Sequence, residues 1–130
     1  MLYVHILELK TILWVLSEYL DKTVEKDDYK YIITTVDNKD TNILKSVADS
    51  LINQLGNSFV VIINKKEDSA SLIVRSSIES IKAGELIKKI IEPLNGKGGG
   101  SNTFAQGGIS DLSNLDSVLK DIEENLWISM

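Results

Sequence analysis

The sequence predicts an α/β domain: a mixed β-sheet flanked by helices and preceded by an apolar helical arm. Three observations predict it. Short β-branched runs alternate with stretches whose apolar residues recur at helical spacing. One run, Phe59-Val60-Val61-Ile62-Ile63-Asn64, is almost continuously apolar, which marks a strand covered on both faces and so calls for helices on two sides. Finally, a chain of 130 residues has room for one hydrophobic core, so these elements share a single sheet.

The elements follow in order. Residues 2–22 read as a helix, and Ile6, Leu9, Ile12, Leu13, Trp14, Val15 and Leu16 spread over more than one face. A helix apolar nearly all round must bury two sides or meet a partner. The charged stretch Asp21–Asp28 reads as a frayed end or linker. This divides the chain into an arm over 1–28, the end of a coiled-coil-like segment, and a globular part over 29–130. Tyr31–Val36 is β-branched and aromatic, a strand. Asp37 or Asn38 is placed to cap a helix whose inward residues are Ile43, Leu44, Val47, Leu51, Ile52 and Leu55, and Gly56-Asn57 stops it. The turn Lys66–Ser69 joins Phe59–Asn64 to Ser71–Arg75 as a hairpin. Ala83–Leu94 is helical, with Pro93 near its end. A glycine-dense loop, Asn95–Asn102, precedes a short strand at Thr103–Gln106. A last helix runs roughly from Ser113 to Trp127.

Composition removes much of enzymology. The chain has no cysteine, which excludes disulfides, thiolate nucleophiles and zinc–thiolate sites. Its single histidine, His5, sits in the apolar arm without a partner for catalysis. Glu123-Glu124 and Asp27-Asp28 are sequence neighbours and do not share a helix face, so they read as solvation rather than an acid/base pair. No catalytic residue, metal site or cofactor is expected. No basic leader with a small-residue cleavage site opens the sequence, and His5, Glu8, Lys10 and Glu18 interrupt the apolar start, so no membrane span is expected. The net charge is −5, yet between Val60 and Gly100 seven Lys/Arg stand against five Asp/Glu. A locally basic middle permits an anionic docking site, although on charge alone ordinary surface variation is the favoured reading.

Six of the eight glycines fall between Gly96 and Gly108. Such a loop can form a backbone anion nest, with Lys97 as a mobile cation, or it can simply permit tight packing. It is neither a P-loop, for want of Gly-Lys-Ser/Thr before a helix, nor a dinucleotide fingerprint.

The segments Lys82-Ala83-Gly84-Glu85-Leu86-Ile87, Gly96-Lys97-Gly98-Gly99-Gly100 and Phe104-Ala105-Gln106-Gly107-Gly108, in this order, resemble the C-terminal domain of alanyl-tRNA synthetases. That domain is also called the C-Ala or DHH-associated domain, and the resemblance runs from about Tyr29 to Trp127. It implies a non-catalytic, cytoplasmic domain that binds the outer corner of alanine-specific tRNA, bridges aminoacylation and editing modules, and dimerises, here through the N-terminal helix. Accessory domains of DHH phosphoesterases, which use a G-G-G-H loop beside a separate metal domain, are the alternative. A pure dimerisation module is the third reading. Ser101 stands where synthetases often carry Arg or Lys and phosphoesterases carry His. Asn102 and Phe104 replace the common Pro and Met.

The residues expected to contact nucleic acid are Lys97, Gly98, Gly99, Gly100, Ser101, Gln106, Lys82 and Lys89, with Lys88 beside them. Lys97 would meet a phosphate, the glycine N–H groups phosphate or sugar, and Gln106 a base edge. Phe104 would stack on an exposed base. Each has a plainer reading: solvated lysines, a Gln106 that braces the loop backbone, and a Phe104 packed in the core.

Overall fold

A computed structural model of the chain describes residues 17–26, 29–110 and 112–125. Six strands form one mixed sheet: β1 (Val24–Lys26), β2 (Tyr29–Asp37), β3 (Ser58–Lys65), β4 (Ala70–Ser76), β5 (Lys97–Gly100) and β6 (Phe104–Ile109). Their spatial order is β1-β2-β3-β4-β6-β5. β2 and β3 run parallel, joined by the crossover helix α1 (Thr41–Leu55), and all other neighbours are antiparallel. Helix α2 (Ala83–Ile91) continues into a 3-10 turn at Glu92–Leu94, and α3 is Leu115–Asn125.

The apolar run of β3 lies at the centre, as its composition requires. Phe59, Val61 and Ile63 face α2 and α3, packing with Ala83, Ile87, Ile90, Leu115 and Leu119. Val60 and Ile62 face the other way, onto Leu44, Val47 and Leu51 of α1. All five are fully buried, and burial of such side chains contributes about 1.5–3 kcal/mol each. Tyr19, in the helical turn at 17–20, is buried on the α1 side, where burial and the neighbouring Glu18 carboxylate push its phenol pKa up. The rest of the expected arm lies outside the described residues.

Three local expectations are corrected. The charged segment read as a linker contains β1, which pairs with β2 through Val24↔Tyr31 and Lys26↔Tyr29. A three-residue edge strand carries too few side chains for any periodicity to reveal it. The cap of α1 is Asp40, not Asp37 or Asn38. Asp37 is still in β2, and Asn38 turns the chain at φ 48°. Asp40 Oδ1 accepts from Asn42 N at 2.8 Å and Ile43 N at 3.2 Å, a cap worth about 1 kcal/mol. Buried Asn64 holds that approach in place by accepting from Lys39 N at 2.9 Å and donating to Lys39 O at 2.8 Å.

The third correction bears on function. The glycine-dense segment is not a loop but the edge strand β5, in register with β6 from Lys97↔Gly108 to Gly100↔Ala105. Among the described glycines only Gly56 has positive φ, so Gly98–Gly100 form no anion nest. Their extended conformation points successive N–H groups to opposite sides of the strand, where a nest would converge them on one anion.

Candidate nucleic-acid interface

Helix α1 covers β2, β3 and β4 but stops short of β6 and β5, whereas α2 packs beneath both of those strands. The strand registers show what this leaves open. Ile73 and Arg75 of β4 face α1: Ile73 joins its core, and Arg75 Nε lies 2.9 Å from Asp49 Oδ1. Their partners on β6 are Gln106 and Phe104, and Ser71 pairs with Gly108. One strand further, Gln106 opposes Gly99 and Gly108 opposes Lys97. Lys97, Gly99, Gln106, Gly108 and Phe104 therefore share one ledge, open on the α1 side of the sheet.

The ledge is polar and cationic. Lys97 is exposed and has no carboxylate partner among the described residues. Gln106 is exposed, and its amide makes no hydrogen bond among the described residues, so it does not brace the backbone. Phe104 is half-buried against the α1-side core, with Lys45 Nζ 6.0 Å and Arg75 Cζ 5.9 Å from its ring centre. It is thus part core and part surface. Lys45 and Arg75, which the sequence did not single out, extend the cationic margin. Their signal was present only as basic positions facing the same side as Gln106, which needs the register.

The three glycines of β5 divide into two kinds. A Cβ at Gly98 would fall on Gly107 Cα and 2.6 Å from Gln106 O; one at Gly100 would fall on Phe104 O and 2.5 Å from Ala105 Cα. No side chain fits at either. A Cβ at Gly99 meets nothing within 4 Å, and its φ lies outside the left-handed range. Nothing in the packing requires glycine there. Ser101 N donates to Phe104 O at 2.8 Å, so by antiparallel alternation Gly99 bonds to Gln106 while the backbone polar groups of Gly98 and Gly100 face the outer edge.

The remaining expected residues lie elsewhere. Ser101 braces the β5–β6 turn, its Oγ accepting from Phe104 N at 3.2 Å. Lys82 occupies the N-cap position of α2 without a side-chain cap bond, and Lys88 and Lys89 sit on that helix's exposed side, across the sheet from Lys97. The structure thus brings Lys97, Gly99 and Gln106 together and sets Lys82 and Lys89 apart from them. Among the described residues no cluster of His, Cys, Asp or Glu could hold a metal ion, and no helix is long and apolar enough to cross a membrane.

A mixed six-stranded sheet flanked by helices is consistent with the fold of a DHHA1 domain. The chain belongs to this family, whose model matches residues 28–127. Among solved structures it is similar to the C-Ala domain of Aquifex aeolicus alanyl-tRNA synthetase, with a TM-score of 0.70 and 24% identity over 79% of this chain and 96% of that one. It is also similar to RecJ in complex with Mg2+ from Thermus thermophilus, with a TM-score of 0.60 and 16% identity over 89% of this chain but 17% of that one. An exopolyphosphatase-related protein from Bacteroides fragilis has a TM-score of 0.60 at 13% identity, over 90% of this chain and 34% of that one. At such identities the likeness establishes the fold.

Proposed function

We propose that this domain is a non-catalytic, cytoplasmic RNA-binding module of an alanine–tRNA ligase. It holds the outer corner of alanine-specific tRNA on the β5–β6 ledge and bridges the aminoacylation and editing modules. Gly99 carries the reading: it is a glycine that the domain's own packing does not need, on an open surface beside an unpaired lysine. Lys97 supplies a phosphate contact, Gln106 a base-edge contact, and Phe104 an aromatic face. The outward backbone groups of Gly98 and the N–H of Gly100 add sequence-independent contacts, Gly100 O being packed against Gly84, and Ser101 acts by shaping the turn. Lys82 and Lys89 lie across the sheet and reach only an RNA that wraps the edge. Titration with tRNA(Ala) and with a minihelix lacking the outer corner tests the assignment. Tight binding of the first and weak binding of the second is expected, and equal affinity for both would overturn it.

Lys97→Ala should weaken tRNA binding and flatten its salt dependence by about one counterion. An unchanged affinity and slope removes Lys97 from the interface.

The structural likeness to RecJ keeps a second reading in play, an accessory domain of a DHH phosphoesterase. Ser101, engaged in its own turn where those proteins carry histidine, weighs against it. Sequence upstream of Met1 separates the two, since a metal-binding DHH module would precede the phosphoesterase form. A chain that binds no RNA at low salt would leave dimerisation as its role.

We propose further that the apolar arm pairs two copies through residues 2–20 as a two-fold dimer. Large apolar groups such as Tyr3, Leu7 and Trp14 exceed what one small sheet needs, and Ile43 beside Tyr19 remains 50% exposed. Trp14→Glu should shift the species to monomer, because an unpaired buried carboxylate costs on the order of several kcal/mol. Sedimentation of the unmodified chain as a monomer at about tens of micromolar would falsify the pairing.

A further inference from the structure

One face of α1 forms the inner wall of the ledge. Thr41, Lys45 and Asp49 recur at every fourth residue of that helix, so they lie one above another on it. Thr41 lines an open depression together with Lys97, Gln106 and Gly108. One turn on, Lys45 Nζ stands 6.0 Å from the centre of the Phe104 ring. After a further turn, Asp49 Oδ1 lies 2.9 Å from Nε of Arg75, whose strand partner is Phe104. This face of α1 therefore follows the ledge from its Gly108 end to its Phe104 end.

Charge along this path is one-sided. Asp49 is taken up by Arg75, whereas neither Lys45 nor Lys97 has a carboxylate partner among the described residues. An aromatic ring attracts a cation within about 6 Å of its centre, so Phe104 steadies the Lys45 ammonium beside the ledge. The floor between the two lysines is bare. A Cβ at Gly99 would meet nothing within 4 Å, and one at Gly108 only Ala70 O, at 3.6 Å. Packing requires neither glycine, and both let another molecule come close to the strand backbone. From Gly108, the partner of Lys97, to Phe104, beside Lys45, β6 advances about 13 Å at the usual strand rise. Successive phosphates of one strand in a duplex advance only about 3.4 Å along its axis, so the two lysines reach different phosphates.

We infer that Lys45 is a second phosphate contact, and that an RNA backbone crosses the ledge from Lys97 on β5 toward α1 rather than over the outer edge toward α2. This rests on the RNA-binding reading and gives that reading a direction.

The test titrates the 130-residue chain with tRNA(Ala) over a series of salt concentrations. Lys45→Ala should weaken binding about three- to tenfold and lower the salt slope by about one counterion. Lys45→Met keeps the aliphatic stem on Phe104 without the charge and should lose the same slope, whereas Lys45→Arg should keep it. Adding Lys97→Ala should bring the loss to about two counterions, since contacts with separate phosphates add. Lys120→Ala, on α3 at the opposite face of the sheet, should change neither affinity nor slope. An unchanged slope in Lys45→Ala, a slope retained in Lys45→Met, or a double variant that loses no more than Lys97→Ala would each overturn the second contact. A slope lost in Lys89→Ala instead would send the backbone over the outer edge and overturn its direction. In all these cases tRNA still binds and the RNA reading stands. A chain that binds no tRNA at low salt would sink that reading and this one together.

Discussion

Gly100→Ala should destabilise the domain by about 3 kcal/mol, a large share of the stability of a domain this size. The added methyl would sit on the Phe104 carbonyl oxygen, with Ala105 Cα at 2.5 Å and Ala105 Cβ at 2.8 Å. Neither side can give way easily. The Ser101 N to Phe104 O bond closes the turn just beyond, and Ala83 N and Gly84 N anchor the start of α2 on Asn102 O and Ser101 O at 2.9 Å. A Cβ at Gly84 would itself come within 2.8 Å of Gly100 O, so strand and helix are already at closest approach. Urea or thermal denaturation reads the loss. A Tm within about 2 °C of the unmodified chain would mean that β5 does not pair with β6 in this register.

One residue earlier the expectation reverses. Gly99→Val should leave the fold intact, because valine favours strands and its branches enter open space, yet weaken tRNA binding at least about tenfold. The side chain would stand on the ledge between Lys97 and Gln106 and hold a nucleic-acid backbone away from both. Denaturation and tRNA titration on the same preparation give the answer. Retained affinity would free the ledge of its assigned role, and a collapsed Tm would make Gly99 structural like its neighbours.

The fold was largely legible because its strands and helices carry their own patterns. Continuous burial at Phe59–Ile63 and helical spacing from Leu44 to Ile52 follow directly from water exclusion. What escaped was information held between elements. Asp40 could not be told from Asp37 or Asn38, since the choice depends on where Asn64 holds Lys39. β5 was hidden because glycine has weak strand propensity, and its pairing is dictated by β6. For the site, motif resemblance found Lys97, the glycines and Gln106. The division between glycines that packing demands and one it does not is written only in the register, as is the placement of Lys82 and Lys89 across the sheet.

The position of β5 also sets how firmly the ledge is held at rest. β3 is paired on both sides and buried on both faces, so its amides should open only when the whole domain unfolds. β5 has a neighbour on one side only, four residues, and three of them without side chains to pack. Its amides belong to a smaller cooperative unit that can fray while the centre stays shut. A ligand that grips this strand must first quiet those excursions, giving up part of its contact energy to do so. The same strand, once quieted, is tied through Gly84 to the start of α2. A ligand that orders this strand would also steady the turn at Ser101 and Asn102, whose carbonyls accept from Gly84 N and Ala83 N at the start of α2.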